Sequence, residues 1–113
     1  MQEAIALIKQ KLEEEVQFWR DDIEYLSDPG TSDSSRRGFR KGSMKMLSDA
    51  KFMNHELEIL LENFTGDNAI VLLDNVERYI NGGETLACDR IIDKYNGIVK
   101  RLRRLPVFGG TEE

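Results

Sequence analysis

From Met46 to Phe64 the apolar residues Met46, Ala50, Met53, Leu57, Leu60 and Phe64 fall at alternating spacings of four and three. That is a heptad seam. It confines the segment to an α-helix that must lay one face against another helix. Leu47 and Leu61 widen the seam, and Phe39 continues it one heptad upstream, where Gly38, Gly42 and Ser43 lower helix propensity. Residues 36–44 are therefore expected to be either a frayed first turn or a stretch kept glycine-rich for close approach. A second row of the same period, Ile5, Leu12, Trp19 and Leu26, is flanked by Ile8, Val16 and Ile23 and separated by Glu13, Glu14, Glu15, Asp21, Asp22 and Glu24. It predicts one amphipathic helix over about 2–27. Pro29 and Gly30 stop that helix, and Asp33, Ser34 or Ser35 can cap the next by accepting from an orphan backbone N–H.

Thr65-Gly66-Asp67 reads as a stop followed by a cap. A short helix is expected over 68–80, with Ala69, Leu73, Val76 and Ile80 on one face and Ile70 and Leu72 broadening it toward burial on two sides. Asn81-Gly82-Gly83 breaks it. The last helix is expected over 85–105, with Cys88, Ile91, Tyr95, Ile98, Leu102 and Leu105 on its apolar row. Gly97 inside it costs about 1 kcal/mol relative to Ala unless a neighbour packs closely there. Pro106 ends it. The expected fold is all-α: a small helical bundle built on a long antiparallel helical hairpin, with two shorter C-terminal helices packed across it. The expected domain spans 1–105, and 106–113 forms a short flexible tail. Two long heptad-patterned helices in so short a chain also lead us to expect a homo-oligomer, a dimer or larger.

Composition removes several classes. One Cys in 113 residues leaves no disulfide framework and no Cys-rich zinc site. No apolar run reaches the ~18–20 residues that span a bilayer, and Met1-Gln2-Glu3-Ala4 carries no basic segment ahead of an apolar run, so no signal peptide is visible. At 40% hydrophobic residues the chain is too apolar for wholesale disorder. An acidic cytoplasmic domain without membrane attachment is expected.

The net charge of −5 conceals an asymmetry: residues 1–33 are net −6, whereas 34–65 are net +2. The segment Arg36-Arg37-Gly38-Phe39-Arg40-Lys41, with Lys45, opens a helix. Cations there oppose the helix dipole, so local stability would not select them. Two readings stand. The cluster pairs with the acids of the first helix, or Arg36, Arg37, Arg40 and Lys41 grip a phosphorylated small ligand, nucleotide or nucleic acid, with Phe39 or Tyr25 stacking on a base. A second cluster, Lys100, Arg101, Arg103 and Arg104, complements the dipole at a helix C-terminus. A nucleic-acid track would require the two clusters to meet, and an acidic chain argues against general nucleic-acid affinity. The crowded acids of the first helix also raise, more remotely, nucleic-acid mimicry.

No catalytic constellation is visible. His55, the sole histidine, has no oriented partner at fixed spacing. Cys88 reads as a small core hydrophobe, with Glu84 and Asp89 working against a thiolate. Asp28 and Asp33 lack the order of a calcium loop, and Glu56, Glu58 and Glu62 do not form a di-iron set. No enzyme activity, cofactor or metal is therefore expected. Trp19, Phe18, Tyr25, Phe39 and Phe64 suit a core or an oligomer interface. Phe18 lies off its row; together with Tyr25 and with Lys100, Arg101, Arg103 and Arg104 it is a candidate partner contact.

In general style the chain resembles small acidic helical accessory proteins of bacteriophages and mobile elements, and no motif carries the resemblance. It implies a protein that binds and blocks a host macromolecule. The expected function is accordingly a non-enzymatic interaction protein with a protein partner. The phosphorylated-ligand binder and a structural or assembly component are the alternatives.

Overall fold

The computed structural model describes residues 2–27, 34–83 and 88–111, with side chains from residue 3 in the first helix and from residue 38 in the second. Helix α1 spans Gln2–Leu26, α2 Ser34–Asn63, α3 Ala69–Asn81 and α4 Asp89–Arg103, and a 3-10 turn over Pro106–Phe108 follows. No strand occurs among the described residues. The two long helices run antiparallel: the Asn54 amide donates to the Leu12 carbonyl at 2.8 Å near the middle of α1, and the Ser43 hydroxyl donates to Asp22 farther along. Helix α3 returns beside the second half of α2, where Tyr79 sits edge-on to Phe52 at 5.9 Å. Helix α4 reverses again, tied to α3 by the reciprocal amide bonds of Asn81 and Asn96, both 2.9 Å. It closes on α1 through Arg90, 3.4 Å from Glu15. The result is an up-down-up-down bundle built on a hairpin.

The core forms where the rows meet. Ile8, Leu12 and Trp19 of α1, Ala50, Met53, Leu57 and Leu60 of α2, Ala69, Leu73, Val76 and Ile80 of α3, and Ile91, Tyr95, Ile98 and Leu102 of α4 are all buried. Each large side chain taken out of water contributes about 1.5–3 kcal/mol. Tyr95 brings a hydroxyl into this apolar layer and satisfies it, donating to Asn54 Oδ1 at 2.5 Å with the Ala50 carbonyl 3.2 Å away. Asn54 spends its other end on Leu12, so one buried amide bridges three helices.

Several expectations change. Helix α3 buries one face rather than two, because Ile70 and Val71 are about half exposed and Leu72 is only partly covered. Its N-cap position is Asn68 rather than Asp67, and the Asn68 side chain accepts from the Thr65 N–H at 2.5 Å. Helix α4 begins at Asp89. Cys88 is an extended residue ahead of it (φ −98, ψ 123), half-buried against the core rather than on the helical row; residues 84–87 lie outside the described residues, as do Asp28–Asp33 and the side chains of Ser34 and Ser35.

At the other end α4 stops before Leu105, which is extended (φ −74, ψ 142) because the ring of Pro106 disfavours helical backbone in the residue before it. Leu105 nevertheless stays buried. The packed structure then continues beyond residue 105, where the sequence pattern places the domain's end. Phe108 is 3% exposed with its ring 5.3 Å from that of Phe64, and Val107 packs against the core. Gly109 adopts a left-handed φ of 92° and lets the chain fold back, so that the Gly110 N–H reaches the Leu105 carbonyl at 2.9 Å. Residues 112–113 lie outside the described residues. Gly97 has open space where a Cβ would lie, so no close neighbour offsets its cost in helix propensity.

Candidate partner interface

The unequal helix lengths set the site. With 13 and 15 residues, α3 and α4 cover only part of a hairpin whose arms are 25 and 30 residues long. The start of α4 is fixed against the middle of the hairpin: Arg90 lies over the Phe18 ring at 4.1 Å and near Trp19 at 5.4 Å. Beyond that level, among the described residues, α1 and α2 pack only on each other, and the molecule extends to 54 Å along its longest axis. We call this part the outer end of the hairpin.

The heptad row of α2 runs through both halves. Met53 and Leu60 are 0% and 2% exposed, Met46 is half-buried, and Phe39, one heptad on, is 68% exposed. A side chain whose position matches the core row is thus left in solvent. The row of α1 behaves likewise: Leu12 and Trp19 are buried, Leu26 only partly. Tyr25 and Met44 are also exposed here.

The basic segment lies on the same end. The backbone of Arg36 and Arg37 belongs to the first turn of α2, and their side chains lie outside the described residues. Arg40 and Lys41 are exposed. Lys45 reaches one turn along its own helix to Asp49 at 2.7 Å. Among the described residues no ion pair joins Arg40, Lys41 or Lys45 to the acids of α1; the hydroxyl of Ser43 makes the connection, to Asp22. Gly38 and Gly42 have no neighbouring atoms where a Cβ would stand.

The second basic cluster is placed apart from the first. Arg103 donates to Asp74 at 2.6 Å and to Glu77 of α3, and these two bonds, Asp74 first, push its pKa further up. Lys100 and Arg104 are exposed and Arg101 is partly covered. The chain end that follows α4 packs on Phe64, and at ~1.5 Å per residue Phe64 lies roughly 37 Å along the chain from Phe39. The two clusters do not meet. Phe18 stands edge-on to Trp19 at 5.0 Å, with its exposed side shared with Arg90.

Some polar residues escape a reading of the sequence. Glu15, one of three consecutive glutamates, is 3% exposed; it accepts from the Trp19 indole at 3.0 Å and faces Arg90. Its position three after Leu12 and four before Trp19 is the signal that it shares their face. Asp49 is also buried, and its Oδ2 has no hydrogen-bond partner. His55 is exposed beside an open groove of about 560 Å³ between α1 and α2, which Arg20, Lys51, Glu13 and Glu58 also line. Among the described residues no three His, Cys, Asp or Glu side chains gather as a metal-binding group, and no helix is long and apolar enough to cross a membrane. No protein-family model matches the chain, and comparison with curated proteins and with solved structures returned no match.

Proposed function

We propose that this chain is a non-enzymatic helical interaction protein that binds, and thereby regulates or inhibits, a protein partner in the cytoplasm, and that the outer end of the α1–α2 hairpin is its contact surface. The observation that carries the reading is Phe39: a residue on the core row of α2, 68% exposed because α3 and α4 stop short of it. Aromatic side chains and arginine are enriched at protein interfaces. Arg40 follows Phe39 directly, and Lys41 follows Arg40.

A photo-crosslinking residue placed at position 39 in the producing cell tests this. A heterologous adduct is expected at 39 and not at Glu62, an exposed site near the opposite end of α2. Equal crosslinking at both positions, or none at 39, overturns the reading. Arg40 and Lys41, which form no ion pair among the described residues, and the open glycines beside them also support the alternative of a phosphorylated ligand. A rise in melting temperature with millimolar nucleotide, abolished by Arg40→Glu with Lys41→Glu, would favour that alternative.

A further inference from the structure

Resting on the reading of the outer hairpin end as a binding surface, we infer that a second copy of this chain docks there, pairing hairpin end to hairpin end so that α1 of one copy lies along α2 of the other. Three observations converge. The first is the continuity of the rows. Leu60, Met53, Met46 and Phe39 repeat every seven residues, as do Leu12, Trp19 and Leu26 on α1, and coverage falls toward the outer end along both, to slight at Phe39 and to partial at Leu26. A heptad row asks for another helix with the same repeat, and an α1–α2 end supplies two of them in the geometry that α3 and α4 supply to the inner half.

The second observation is charge. The α1 side of the outer end carries Asp21, Asp22 and Glu24, and the α2 side carries Arg40, Lys41 and Lys45. Within one copy these two sets form no ion pair among the described residues. A twofold axis that placed α1 on α1 would set acid against acid and base against base. The axis that places α1 on α2 of the second copy sets acid against base twice, once on each side. An isologous contact is self-complementary in this sense, and electrostatics selects one of its two possible orientations.

The third observation is space. Gly42 falls one turn from both Phe39 and Met46, and Gly38 precedes Phe39. Among the described residues, a Cβ at either position would meet no side chain and no other segment of the same chain. Helix backbones approach closely where such small residues stand, and the propensity cost of about 1 kcal/mol for each glycine has no counterpart in the packing of a single copy.

Sedimentation velocity of the full chain over a range of concentrations tests the pairing. The expected result is a reversible dimer of twice 13.0 kDa whose affinity falls with added salt. Phe39→Glu should abolish it while the circular dichroism spectrum keeps its helical form, since an exposed side chain holds no monomer core. Lys41→Glu and Asp21→Lys, both at exposed positions, should each weaken self-association by about fivefold or more at low salt, and an equimolar mixture of the two should recover it, because both sides of the mixed dimer again oppose acid to base. A chain that is monomeric throughout the range, or a dimer indifferent to Phe39→Glu, overturns the inference. The crosslinker at position 39 separates its fate from that of the wider reading. A monomeric chain with a heterologous adduct sinks the dimer alone. An adduct of twice the chain mass and no other supports the dimer and sinks the separate partner. No adduct of any kind sinks both.

Discussion

Tyr95 shows how one residue couples the core to pH. Burial raises its phenol pKa above the ordinary value of 10.0, and the negative charge of Glu15 raises it further. An acid whose pKa is higher in the folded state than in the unfolded one contributes stability that is fully present below the unfolded value and is lost as pH rises past it. Stability should therefore hold to about pH 10 and fall above it, and Tyr95→Phe should flatten that alkaline limb. At neutral pH the same substitution should cost about 1–2 kcal/mol, because Asn54 Oδ1 is left buried without its donor; denaturant titrations at pH 7 and above pH 10 read both effects. Backbone positions give a second contrast at this scale. Gly97→Ala should stabilise the protein by about 1 kcal/mol, since a helical interior with open space gains from the alanine. Gly110→Ala should destabilise it, because its Cβ would overlap the Arg104 carbonyl oxygen. Thermal melts of the two variants should move in opposite directions, and a common direction would contradict the local geometry.

At the scale of elements, the 3-10 turn acts as a cover for the far end of the bundle. Phe108→Ala should cost about 3–5 kcal/mol by opening a cavity against Phe64, as expected for a buried aromatic and not for a solvated tail, and urea unfolding measures it. The four helices were legible in the sequence because a 3.6-residue period writes each buried face directly into the order of apolar residues; Ala69, Leu73, Val76 and Ile80 of α3 are a case. The end of α4 was less so. Leu105 keeps the spacing of the helical row and is buried, yet its backbone is extended under the constraint of Pro106, so the pattern of burial outruns the helix itself. The pairing of Glu15 with Arg90 and of Asn54 with Tyr95 was illegible for another reason. Spacing puts Glu15 on the face of Leu12 and Trp19, but each of these partners is distant in the chain, and no local spacing records the meeting.

For the whole molecule the decisive quantity is a difference of lengths. Phe39 was readable as a continuation of the α2 row, but its exposure depends on how far α3 and α4 reach, which only their placement at Arg90 and Asn81 fixes. That placement divides α2 into two parts of unequal support. Residues 50–63 are held by α1, α3 and α4, and the chain end packs on Phe64 just beyond them. Residues 38–45 are held by α1 alone and include two glycines. Local opening free energies follow such differences, so amide hydrogen exchange in dilute solution should be fast over 38–45 and slow over 50–63, with the slowest amides in the second segment reporting global unfolding. If a second copy covers the outer end, raising the protein concentration through the dimer transition should slow exchange most over 38–45 and 19–26, while 69–81 gains only the global increment that linkage gives to amides exchanging by complete unfolding. A larger gain of protection over 69–81, where Ile70 and Val71 are also exposed, would move the contact to α3. The hairpin end would then be an arm whose core row ends in solvent with no copy of itself to meet.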